Sequence, residues 1–114
     1  MIVEDHAAMR ALIRTVVGSL ADIVHECGTG KEAVAAYTTL RPDMVLMDIA
    51  MPEVDGLTAT RQIRAMDPQA SVVIVTDYDA PELREQAQLT GVRAYVVKER
   101  LLDIQDLLKQ ASEI

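Results

Sequence analysis

The sequence predicts an α/β fold of the (βα)5 type, in which five parallel strands alternate with five helices that cover both faces of the sheet. Short apolar runs alternate along the chain with stretches whose apolar residues recur at helical spacing. The strand candidates are continuously apolar, as expected for strands buried on both faces. The 114 residues, half of them hydrophobic, contain no linker or repeat, so we expect one domain over residues 1–114.

Each element follows from a local pattern. The strands are expected at residues 1–3, 23–27, 44–47, 71–76 and 94–97, and the helices at about 6–20, 31–41, 57–67, 81–89 and 101–111. Gly28 and Gly30 precede the second helix and Pro42 ends it. Pro81 suits the first turn of the fourth helix, and Gly91 suits its C-terminal cap.

Composition excludes several classes of function. The net charge is −7, with 18 acidic and 11 basic residues, and only three aromatic residues are present, so this domain is not expected to bind nucleic acid itself. No apolar run reaches the roughly 18–20 residues that cross a bilayer, and Glu4 and Asp5 interrupt any signal-peptide pattern at the start. The lack of such a run predicts no membrane association. Cys27 is the only cysteine, which fits a reduced, cytoplasmic location.

Charged and hydroxyl side chains follow the predicted strands where each one ends. Glu4 and Asp5 follow the first strand, Asp48 the third and Lys98 the fifth, while Thr76 ends the fourth. Because ligands of open α/β sheets bind at the carboxyl ends of strands, we expect these groups to converge. Carboxylates suit Mg²⁺, which would let Asp48 remain an ionised nucleophile. Lys98 and Thr76 would contact the oxygens of a phosphoryl group.

These residues, in this order, give the sequence a resemblance to receiver domains of two-component response regulators over essentially its whole length. The shared features are the acidic pair Glu4 and Asp5, Asp48 followed by MPEVDG at 51–56, Thr76, Tyr95 and Lys98. The resemblance implies a flavodoxin-like fold with strand order 2-1-3-4-5. It also implies a switch controlled by phosphorylation rather than an enzyme that releases a product.

The resemblance also implies a role for each residue. Asp48 would accept a phosphoryl group from a sensor histidine kinase, and Lys98 and Thr76 would bind that group. Thr76 and Tyr95 would form the conformational switch. The expected ligands of Mg²⁺ are Glu4, Asp5, Asp48 and the backbone carbonyl of Ala50.

Several positions depart from the family pattern or remain open. Glu4 stands where the family very often has Asp, so its contact with the metal could run through water. Asp77 follows the switch threonine and is a candidate modulator of phosphate lifetime. Glu99 replaces a frequent cis-proline, which favours a trans Lys98–Glu99 peptide because a non-proline cis bond costs roughly 2.5–4 kcal/mol. His6 is either a metal ligand or, as we favour, a solvated residue of the first helical turn.

The resemblance extends to the surroundings of the domain. The strings TDYDAPELREQA and YVVKE resemble receivers of the NarL/LuxR-like subclass, so we expect an excerpt of a longer protein with a C-terminal helix-turn-helix output domain and a role in transcription regulation. We also expect that such a protein can form a homodimer that depends on phosphorylation. The alternative is a small Mg²⁺-dependent phosphatase that forms an aspartyl phosphate, but the general acid of that class would be an Asp where this chain has Ala50.

Overall fold

The computed structural model describes residues 1–112 and contains one five-stranded parallel sheet of order β2-β1-β3-β4-β5. The predicted fold class and strand order are therefore confirmed. The strands are β1 (Ile2–Val3), β2 (Glu26–Cys27), β3 (Val45–Met47), β4 (Val72–Thr76) and β5 (Ala94–Val97). The helices are α1 (Ala7–Val17), α2 (Gly30–Leu40), α3 (Gly56–Met66), α4 (Pro81–Leu89) and α5 (Asp103–Ser112).

The helices cover both faces of the sheet, and each face has its own apolar core. Ile13 and Val17 of α1 share one core with Ile104 of α5, while Tyr37 of α2 and Ile63 of α3 belong to the other. Strands β3 and β4 are buried along their whole length. Alternate residues of these strands therefore face opposite helical layers, which explains why both sequences are continuously apolar.

Some boundaries differ from the predictions for identifiable reasons. Strand β2 comprises two residues instead of the five expected, because it pairs only with β1, which itself has two. Ile23, predicted to lie in that strand, is 75% exposed. Helix α1 ends at Val17 rather than near Leu20, because Gly18 adopts a φ of 53° and a 3-10 turn follows. Helix α5 begins at Asp103, because Leu101 and Leu102, which were predicted to start it, lie in a turn.

The helix termini agree with the sequence signals. The Thr29 side chain caps α2 by accepting a hydrogen bond from the Glu32 backbone N–H at 3.0 Å. Pro81 occupies the first turn of α4, and Gly91 follows its C-cap with a φ of 83°. These caps fix where each helix starts and ends relative to the strand ends that carry the site.

Candidate functional site: an acidic pocket at the carboxyl edge of the sheet

Glu4, Asp48 and Lys98 meet at the carboxyl edge of the sheet, as the sequence predicted. Lys98 Nζ lies 2.6 Å from Glu4 Oε1 and 3.6 Å from Asp48 Oδ2. Glu4 is completely buried and Asp48 is 4% exposed. Strands β1 and β3 are neighbours in register, so their next residues arrive side by side, and Lys98 follows β5 at the same edge. Two buried acids therefore share one ammonium group.

Burial and the neighbouring Glu4 charge disfavour the ionised form of Asp48 in this structure. Burial is the largest cause that raises its pKa, and the Glu4 carboxylate raises it further, to about 6. Lys98 and a hydrogen bond from the backbone N–H of Ala50 act in the opposite direction but do not cancel the increase. Asp48 therefore titrates close to neutral pH, and a further cation beside it would favour the ionised form.

Lys98 is held by three carboxylates. Burial by itself favours the neutral amine, but Glu4, Asp48 and Asp77 together raise the lysine pKa above its usual value. The Asp77 Oδ2 atom lies 3.8 Å from Lys98 Nζ, and its side chain is 71% exposed. Asp77 therefore competes from the solvent side for the same ammonium group that Asp48 uses.

Asp5 and His6 complete the acidic edge. Together with Glu4 they form a group whose potential metal-ligating atoms all lie within 4.8 Å of one another. Asp5 Oδ1 is buried and accepts no hydrogen bond from a described residue. A buried carboxylate oxygen without a donor fits a hard divalent cation, which needs such oxygen ligands. The residues present therefore fit the Mg²⁺ predicted here.

The loop after β3 passes very close to Asp48. A β-carbon built on Gly56 would lie 1.9 Å from the Asp48 backbone carbonyl oxygen, a distance that no real structure tolerates. The Gly56 backbone N–H donates to the Ile49 carbonyl at 3.0 Å, and Asp55 caps α3 through a hydrogen bond from Thr58 N at 2.9 Å. The glycine of the MPEVDG motif is therefore required because the start of α3 lies against the backbone that carries Asp48.

The two residues predicted to form a switch, Thr76 and Tyr95, are joined through the backbone of Tyr78. The Tyr78 N–H donates to Thr76 Oγ1 at 3.3 Å, and the Tyr95 hydroxyl donates to the Tyr78 carbonyl at 2.6 Å. Thr76 is fully buried, while the Tyr95 ring is partly buried against the core. A movement of the Thr76 hydroxyl would therefore act on the Tyr78 backbone, whose carbonyl holds Tyr95.

Sequence reasoning missed several residues that support this arrangement. Arg84 stacks over the Tyr95 ring at 4.6 Å from its centroid and binds Asp79 Oδ1 through Nε at 2.6 Å. Arg10 donates to the Glu4 backbone carbonyl at 2.8 Å. Arg84 lies within the string TDYDAPELREQA, but nothing in that string indicates a contact with Tyr95, and no local pattern marks Arg10.

The peptide after Lys98 is trans, as predicted, because the described part of the chain contains no cis peptide bond. Lys98 begins a 3-10 turn that extends to Arg100. The ammonium group therefore reaches Glu4 and Asp48 without the cis-proline that many receivers carry after this lysine.

A fold of this topology with acids and a lysine at its carboxyl edge defines a class of signalling domains, and comparisons with known proteins agree. The family model for the response regulator receiver domain matches residues 1–112. The chain therefore belongs to the response regulator receiver domain family. It is 38% identical over 99 residues to the chemotaxis protein CheY of Listeria monocytogenes, a match that covers 86% of this chain and 83% of CheY.

Two further similar proteins are both from Staphylococcus aureus, and the chain spans about half the length of the first. The response regulator VraR of Staphylococcus aureus is 35% identical over 115 residues, which cover 98% of this chain but only 55% of VraR. A crystal structure of a DNA-binding response regulator of the LuxR family from the same species matches with a TM-score of 0.87 and 28% identity, and covers 98% of this chain and 96% of that one.

Within the described residues, no helix is sufficiently long and apolar to span a bilayer.

Proposed function

We propose that this domain is a phosphorylation-controlled switch that accepts a phosphoryl group on Asp48. The observation that carries the proposal is the shared Lys98 ammonium group, which lies 2.6 Å from Glu4 and 3.6 Å from Asp48 in a buried pocket. This arrangement holds an oxygen nucleophile beside a cation that can stabilise the charge of a transferred phosphoryl group. Family membership makes a sensor histidine kinase the expected donor.

The chemistry assigned to the residues is a single in-line transfer. An Asp48 carboxylate oxygen attacks phosphorus, the phosphorus–nitrogen bond of the donor phosphohistidine breaks, and the electron pair leaves with the imidazole. Lys98 pairs with one phosphoryl oxygen, and the Thr76 hydroxyl donates to another. When bound by Glu4, Asp5, Asp48 and the Ala50 carbonyl, Mg²⁺ supplies the positive charge that keeps the acids ionised.

Phosphorylation would act on the rest of the domain through Thr76. The phosphoryl group carries roughly 1.5–2 negative charges, which attract the Thr76 hydroxyl away from the Tyr78 N–H. The Tyr78 peptide then changes its hold on Tyr95, and the surface formed by α4 and β5 changes with it. In a longer protein, that surface would control an output domain. The proposed output domain is a DNA-binding helix-turn-helix, in keeping with the DNA-binding LuxR-family regulator among the similar structures.

The test is incubation with acetyl phosphate, with and without Mg²⁺, followed by intact mass measurement. We expect a single labile addition of one phosphate that requires the cation. Asp48→Ala should abolish it, whereas the matched control Asp79→Ala, an exposed acid of the β4–α4 loop, should retain it. Labelling of the Asp48→Ala variant at the wild-type level would overturn the proposal.

The same experiment separates the switch from the Mg²⁺-dependent phosphatase. Ala50 is exposed and offers no side-chain acid two residues after Asp48, so protonation of an ester leaving group has no obvious donor there. A switch should gain one labile phosphate and turn over assorted phosphate esters negligibly. Rapid, repeated turnover of phosphate esters would instead favour the enzyme.

A further inference from the structure

We propose that His6 is a direct ligand of the cation in the acidic pocket and shifts the preference of this pocket from Mg²⁺ towards divalent cations that accept imidazole, such as Co²⁺, Ni²⁺ and Zn²⁺. The proposal rests on the proposed function in one respect: it assumes that the acidic pocket binds a divalent cation. It adds a nitrogen ligand to a site otherwise composed of oxygen atoms.

The first observation is where the His6 ring lies. Its Nδ1 atom is 3.3 Å from Asp5 Oδ1 and 3.7 Å from Glu4 Oε2. Glu4, Asp5 and His6 form a group in which one potential ligand atom from each residue lies within 4.8 Å of the other two. Ligands at about 2.0–2.2 Å from one ion are separated by roughly 3–4 Å, so only small side-chain adjustments are needed.

The second observation is the unsatisfied acceptor next to the ring. Asp5 Oδ1 is buried yet accepts no hydrogen bond from a described residue, although His6 Nδ1 is close to it. A buried anionic oxygen without a donor is costly. A cation held jointly by this oxygen and the imidazole would satisfy it.

The third observation is that the His6 side chain neither caps α1 nor fills the core. It occupies the N-cap position of α1, but its side chain makes no capping hydrogen bond, and Ser, Thr, Asp or Asn would cap the helix better. The side chain is 77% exposed, so it does not fill the core. Its only recorded side-chain contacts among the described residues are those with the two carboxylates.

The chemistry of the cations gives the direction of the effect. Mg²⁺ prefers oxygen ligands and keeps much of its hydration, so an added imidazole raises its affinity for the pocket little. Imidazole suits Zn²⁺, Ni²⁺ and neighbouring transition metals, whose affinity for nitrogen sites is intrinsically higher. Removal of His6 should therefore weaken the binding of Co²⁺ much more than the binding of Mg²⁺.

The experiment compares the dissociation constants of Mg²⁺ and Co²⁺ by calorimetric titration of the wild type, His6→Ala and His25→Ala at fixed pH. His25 is the other histidine of the chain and is exposed, so it serves as the matched control for adventitious binding. We expect His6→Ala to raise the dissociation constant of Co²⁺ roughly tenfold and to leave that of Mg²⁺ within about twofold of the wild type. The visible absorption of bound Co²⁺ should also change. His25→Ala should change none of these.

An unchanged ratio of the two constants in His6→Ala would overturn the proposal. Weaker Co²⁺ binding by His25→Ala but not by His6→Ala would overturn it too, because the nitrogen ligand would then be His25. Failure of the underlying function is recognised separately, because in that case Asp48→Ala would still be labelled by acetyl phosphate at the wild-type level. If His6→Ala lowers Co²⁺ affinity and still accepts phosphate with Mg²⁺, both proposals stand.

Discussion

Asp48→Asn should stabilise the cation-free domain at pH 7.5, although it removes the proposed phosphoacceptor. The pKa of Asp48 is raised from 3.8 to about 6, so at pH 7.5 the native state holds a carboxylate in an environment that favours the protonated acid. At 1.36 kcal/mol per pKa unit, that difference corresponds to about 3 kcal/mol. The figure already includes the favourable charge of Lys98, and solvent near the exposed Asp77 screens part of it, leaving about 1–2 kcal/mol.

The sign of the pH dependence follows from linkage. Because the native state binds the proton of Asp48 more tightly than the unfolded state, the stability that Asp48 contributes is fully present below pH 3.8 and is lost as the pH rises through about 6. The neutral Asn side chain does not titrate. The advantage of Asp48→Asn over the wild type should therefore be largest above pH 7 and should shrink towards zero near pH 4.

Urea unfolding of both proteins with a chelator present, at pH 7.5, 6 and 4.5, measures this difference. Asp79→Asn, a change to an exposed acid, is the control and should show no comparable gain. Saturating Mg²⁺ should stabilise the wild type and reduce or reverse the advantage of Asp48→Asn, because a cation that binds the native state stabilises it. A variant less stable than the wild type at pH 7.5, or a gain that does not fall with pH, would refute the electrostatic reasoning.

Three further changes test separate contacts. Asp77→Ala releases Lys98 from a competing acid 3.8 Å away, so the phosphate on Asp48 should persist severalfold longer; an unchanged half-life by phosphate release would defeat this idea. Gly56→Ala places a methyl group 1.9 Å from the Asp48 carbonyl, so thermal unfolding should show a loss of more than about 3 kcal/mol. Tyr95→Phe removes the 2.6 Å bond to Tyr78 and should cost about 1 kcal/mol in urea; no loss would show that the bond contributes nothing to the folded state.

The fold was predictable because its signals are local and repeated. Continuous apolar runs identified β3 and β4, and Pro81 marked where α4 begins, whereas the Thr29 cap of α2 was not predicted. The length of β2 was not predictable, since it depends on how much of its neighbour is available to pair. Pairing partners lie far apart in sequence, and no local pattern encodes their extent.

The site was predictable only where topology alone positions a residue. Glu4, Asp48 and Lys98 meet because parallel strands end at one edge, whatever their neighbours. By contrast, the Tyr78 peptide that joins Thr76 to Tyr95, and the Arg84 guanidinium over the Tyr95 ring, depend on loop conformation and on the direction of a helical side chain. Such contacts arise from the packed structure and leave no periodicity in the sequence.

The central claim is that Asp48 is the one residue that takes up phosphate, and locating the modification tests it most directly. After incubation with acetyl phosphate and Mg²⁺, reduction with borohydride converts an aspartyl phosphate to homoserine, which peptide mass spectrometry assigns to a position. We expect homoserine at position 48 only, and none when the cation is chelated. Homoserine at another aspartate, or a label at position 48 that forms equally well without any divalent cation, would contradict it.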